Sequence, residues 1–83
     1  MTLNIANDPD FVESDHGVSN GYAWQIGFHP KSETKWSIYA RPIGNLTAHT
    51  AYVHIDRMSY PSASDAKVSY LPSLIRWHHD KDK

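Results

Sequence analysis

Large apolar residues occupy every second position of the run Tyr22-Ala23-Trp24-Gln25-Ile26-Gly27-Phe28-His29, with small or polar residues between them. A period of two marks a half-buried strand, because successive side chains point to opposite faces of a sheet. Trp36-Ser37-Ile38-Tyr39-Ala40-Arg41 repeats the alternation and is ended by Pro42; His49 to Arg57 repeats it again. The polar stretch between His29 and Lys35 has hairpin length, and its Pro30 cannot donate to a ladder. Gly44-Asn45 supplies turn chemistry before the third run. Three successive strands with short connections most simply form an antiparallel meander.

Parity sorts the two faces. Tyr22, Trp24, Ile26, Phe28, Trp36, Ile38, Ala40, Ala51, Val53 and Ile55 fall on one, an apolar face in which the aromatics are expected as core. Ala23, Gln25, Gly27, His29, Ser37, Tyr39, Arg41, Tyr52, His54 and Asp56 fall on the other.

The apolar face needs a cover, and the C-terminal segment has the pattern for one. Ser62 or Ser64 is the expected N-cap, with Asp65 in the first turn. Val68, Leu71, Leu74, Ile75 and His78 follow at steps of three and four, the stripe of an amphipathic helix. Pro72 falls inside it and lacks a donor, so the pattern predicts a kink near Leu71 or two pieces, about 63–70 and 72–79. Trp77 lies off the stripe, at the sheet edge or against a partner.

Upstream, Asp8 is a good N-cap, Pro9 suits a first helical position, and Asp10 and Glu13 complement a helix dipole, with Gly17 as terminator. A two-turn helix or an irregular segment is expected there, after a short edge strand at Leu3 and Ile5. Val18-Ser19-Asn20-Gly21 is a turn-type lead-in to the first long strand. The expected fold is therefore one α+β domain over residues 1–83. It has a three-stranded antiparallel sheet, a short N-terminal helix or irregular segment, and a kinked or divided C-terminal helix on one face.

Charge adds polarity. Residues 1–21 carry four acids and no base, giving −4; residues 22–83 carry eight bases and five acids, giving +3, and the sum is the net −1. A general nucleic-acid binder would show a clear basic excess. Binding through Arg41, Arg57, Lys31 and Lys35 is the alternative reading. The absence of cysteine excludes disulfides and thiolate zinc sites. No window approaches the ~18 apolar residues that span a bilayer, and the start lacks signal-peptide character, so a cytoplasmic chain with no membrane partner is expected.

Chemistry-bearing residues lack the spacing that chemistry needs. Of the six histidines, His78 and His79 diverge on a helix, and His49 and His54 face opposite sides of a strand, so no metal site is expected. No nucleophile elbow organises serine, histidine and aspartate, and the four glycines are dispersed rather than forming a phosphate loop. No cofactor is expected and no catalytic activity is the leading reading, with a small enzyme of unknown class as a further alternative beside the nucleic-acid one.

The reverse face is the leading binding candidate. Tyr39, Arg41, Tyr52 and His54 would lie together on adjacent strands, and tyrosine and arginine anchor protein interfaces. A second candidate is the acidic segment of Asp8, Asp10, Glu13 and Asp15, which would mimic phosphates against a basic groove. Either suits a protein partner, including a nucleic-acid-handling complex, with the chain a monomer or homodimer. In size and lack of motifs the chain resembles small phage or mobile-element inhibitors of host defence, such as anti-CRISPR proteins. A short helix, three strands and a helix, with Ser64-Asp65-Ala66-Lys67 opening the last, resembles double-stranded-RNA-binding domains. Those present several lysines where this chain has only Lys67, so their function is not carried over.

Overall fold

The computed structural model describes residues 9–32, 34–44 and 48–81. Four strands, β1 (Val12–Ser19), β2 (Tyr22–Phe28), β3 (Lys35–Pro42) and β4 (Ala51–Asp56), precede one helix, α1 (Ala63–Lys81). The strands form one antiparallel sheet in the order β1-β2-β3-β4.

The extra strand corrects the expected three. The segment expected as a two-turn helix or an irregular stretch instead supplies, from Val12 to Gly17, most of β1, joined to β2 by Asn20-Gly21. Both turn residues have positive φ, 52° and 80°, as a tight type I′ hairpin requires. Once Ser19 is held opposite Tyr22, pairing with β2 satisfies backbone groups that a two-turn helix would leave to water. The register shifts between Glu13 and Asp15, a bulge. Leu3, Ile5 and Asp8 lie outside the described residues.

Parity holds on the helix-facing side. Ile26, Ile38 and Ala40 are fully buried there, with Tyr22, Trp24, Trp36, Ala51 and Ile55 nearly so, against Ala66, Leu71, Leu74 and Ile75 of α1. Ser62 is the N-cap: its Oγ accepts the Asp65 N–H at 3.2 Å and its carbonyl accepts the Ala66 N–H at 3.2 Å.

Pro72 does not divide the helix, which runs unbroken from Ala63 to Lys81. The carbonyl that loses its donor is that of Val68, four residues back, and both residues are exposed, so water can replace the bond. Val68 accordingly leaves the predicted stripe, and Ala66 takes the buried place. His78 closes the far end. Its Nε2–H donates to the His49 carbonyl at 2.5 Å, and its Nδ1 accepts from the Tyr22 hydroxyl at 3.3 Å. Both ring nitrogens are thus used in tying α1 to β2 and to the approach to β4.

Candidate interaction surface

The reverse face is not the open polar surface its composition implies. Gln25, Ser37 and Tyr39 are buried. Part of their cover is Phe11, which reaches across from the start of β1. Its ring meets Tyr39 edge-on at 5.0 Å and His29 at 5.7 Å. Gly27 makes room for it: a Cβ there would stand 2.8 Å from the Phe11 ring and would collide with the Val12 carbonyl. Glu13 adds to the cover, accepting from Gln25 Nε2 at 2.7 Å and meeting His16 Nδ1 at 3.2 Å.

From this base the face rises toward β4. Tyr39 stacks on Tyr52 at 5.6 Å, and Tyr52 meets His54 edge-on at 5.4 Å. Tyr52 is 58% exposed whereas Tyr39 is 7% exposed, so Tyr39 supports the surface and Tyr52 presents it. His54 is exposed, and Arg41 is half-buried near the opposite end of β3 from Lys35. The structure therefore brings Tyr39, Tyr52 and His54 together as expected. The described acids, Asp10, Glu13 and Asp15, do not gather. Glu13 lies on the reverse side, Asp15 turns to the helix side to meet Lys67 at 3.5 Å, and Asp10 is in an exposed turn.

The Ser37 hydroxyl and His54 Nδ1 lie 3.0 Å apart, the spacing of a nucleophile and its base. Ser37 is only 1% exposed, however, and cannot meet a substrate. Although His54 is exposed, its ring is partly desolvated beside Ser37, and this first, then the neighbouring charges of His29 and Lys35, holds it below its usual range. Among the described residues no three His, Asp or Glu side chains gather as a metal site would need. Of the bases, Arg57 lies over the Trp36 ring at 4.4 Å, while Lys35 and Arg41 are six residues apart on β3, about 20 Å.

Strand parity alone did not show the two hollows at the edge of β4, where Trp77, expected at the sheet edge or against a partner, lies. Trp77 is 54% exposed and borders two hollows. One, of about 280 Å³, is lined by Tyr52, Val53, Tyr70, Ser73, Leu74 and Trp77. The other, of about 270 Å³, is lined by His49, Thr50, Ala51, Trp77, His78 and Lys81. Each is bordered by consecutive residues of β4 or its approach, whose side chains point to opposite faces. Only the outer edge of a strand can border a hollow in that way. The available signal was Trp77 itself, an aromatic displaced from the buried stripe.

Comparison with known proteins finds no matching family model, no matching curated protein and no matching solved structure. Among the described residues no helix is long and apolar enough to cross a membrane.

Proposed function

We propose that this chain is a non-enzymatic protein-interaction module that docks through the β4 side of its sheet. The observation that carries the reading is the pair of large aromatics, Tyr52 and Trp77, more than half exposed on either side of one hollow at that edge. Large, stiff aromatic side chains supply contact area at low entropic cost and recur as interface anchors. We extend the proposal to its role: a module of this size acts by occupying a partner's surface, as small phage and mobile-element inhibitors of host defence complexes do.

The test places a photo-cross-linking residue at position 52 or 77 in the native host, with position 18 as control. Val18 is 67% exposed on β1, at the other side of the sheet. The expected result is one protein captured from positions 52 and 77 and not from 18. Capture from all three positions alike, or from none, would overturn the reading.

A further inference from the structure

The hydrogen bonds at the two ends of β3 fix which backbone groups of β4 face outward. Arg57 N–H donates to the Thr34 carbonyl at 2.8 Å, so 34 and 57 are a bonded pair in the β3–β4 register. Bonded and non-bonded pairs alternate along an antiparallel ladder. Ala51, Val53 and Ile55 therefore bond inward to β3, and Tyr52 and His54 point their N–H and C=O groups out. The β2–β3 ladder agrees. Ile43 N–H donates to Gly21 O at 2.9 Å, which assigns the odd-numbered residues of β3 to β2 and leaves the even ones for β4.

The two outer strands manage this exposure differently. β1 carries a bulge and the charged Glu13, Asp15 and His16, devices that discourage strand addition. β4 pairs in unbroken register and has no proline or lysine from Ala51 to Asp56. A strand added to its edge would bond to Tyr52 and His54 and turn alternate side chains toward α1. The residues opposite Val53 and Ala51 would then enter the two hollows in turn, spaced by about 7 Å along the strand.

The hollows differ in chemistry. The one beside Val53 is walled by Leu74, Tyr70 and Trp77 and suits a large apolar side chain. The one beside Ala51 is walled by His49, Thr50 and Lys81, with the Lys81 ammonium 4.7 Å from the Trp77 ring centre. It suits an acid.

Resting on the interaction reading above, we infer that β4 and α1 form a docking groove for an extended segment of another protein, added as a fifth strand, with an apolar residue and an acidic residue two positions apart. A second copy of β4 does not meet this requirement. In a self-pairing that keeps both helices on one side, opposite residues share parity, so Ala51 meets Val53, Ile55 or Arg57. The one acid of the strand, Asp56, has the wrong parity.

The test uses the full chain and an array of hexapeptides on a threonine background, carrying leucine and glutamate two positions apart. Controls carry leucine with lysine at that spacing, leucine with leucine, or leucine and glutamate adjacent. The leucine–glutamate peptides are expected to bind about fivefold better than their lysine counterparts, the upper range for a half-exposed ion pair. Lys81→Glu should reverse that preference, and binding should slow hydrogen exchange at the Tyr52 and His54 amides. Equal binding across the array, a preference that survives Lys81→Glu, or self-association abolished by Trp77→Ala would each overturn the inference. If the array fails while position 77 still cross-links a cellular protein, the peptide chemistry is wrong and the interaction reading stands. If the cross-link fails as well, both are lost.

Discussion

Gly27 shows how one missing side chain organises a face. It sits next to the end of the central strand β2, where glycine costs conformational entropy, and the return is the close approach of Phe11 and the Val12 carbonyl. Gly27→Ala should therefore separate β1 from β2 and lift Phe11 from Tyr39. A loss of about 3 kcal/mol is expected, checked by the urea midpoint. Gly17→Ala is expected to cost less, about 1 kcal/mol, because its Cβ would meet the Trp24 ring rather than backbone. The burial of Tyr39 was hidden at this scale, since the residue that covers it comes from a segment whose capping residues indicated a helix. A glycine inside an otherwise alternating strand was the legible sign that something approaches closely. His54 gives a pH test. Its folded-state pKa lies below the usual 6.5, so the unfolded chain binds the proton more readily. Stability from this group is complete above 6.5 and falls as the pH drops from there toward the folded value. His54→Gln should flatten that part of the curve of urea midpoint against pH between 7.5 and 5.

At the scale of elements, the three long alternating runs and the C-terminal helix were legible because each carries its own period. β1 was not, because its stretch Val12-Glu13-Ser14-Asp15-His16-Gly17-Val18-Ser19 has no such period. A bulge breaks the alternation, and the strand's helix-facing positions are Val12, Asp15, Gly17 and Ser19 rather than apolar residues. What identifies it is the turn. Asn20-Gly21 before a strong strand is a hairpin signal, and it outweighs the local cap at Asp8-Pro9 because β2 offers a full ladder of partners. The unbroken α1 makes a second point about local rules. Pro72 removes one bond where water can replace it, so the disruption costs stability without ending the helix. Pro72→Ala should restore the Val68 carbonyl's donor and raise stability by about 2 kcal/mol, the helical penalty less the entropy that proline removes from the unfolded chain. Ser62→Ala should act in the opposite sense, by about 1 kcal/mol, through loss of the N-cap. Thermal or urea unfolding of the two variants separates these effects.

Over the whole molecule, the sheet has a gradient from a tied centre to two unlike edges. β2 and β3 are paired on both sides and buried under α1, whereas β1 and β4 each leave one side unpaired among the described strands. Parity of side chains predicted which residues are buried, but not which backbone groups are available, because that depends on the phase of the hydrogen bonds. The phase is set by Thr34–Arg57 at one end of β3 and Gly21–Ile43 at the other, and the two agree. Native-state hydrogen exchange can read it residue by residue. Gln25 and Tyr39, buried and bonded to each other between the two central strands, are expected to exchange slowest, near the rate of global unfolding. Along β4 the rates should alternate: Ala51, Val53 and Ile55 slow, Tyr52 and His54 fast, with at least tenfold between neighbours, or ~1.4 kcal/mol in opening free energy. The alternation matters because burial cannot mimic it. Tyr52 and His54 have partners for their side chains in Tyr39 and Ser37, so slow exchange at their amides would mean that another strand already occupies the edge. Uniformly fast exchange along β4 would mean that the β3–β4 ladder itself opens readily. Only the alternating pattern fits a strand that is firmly held on one side and available on the other.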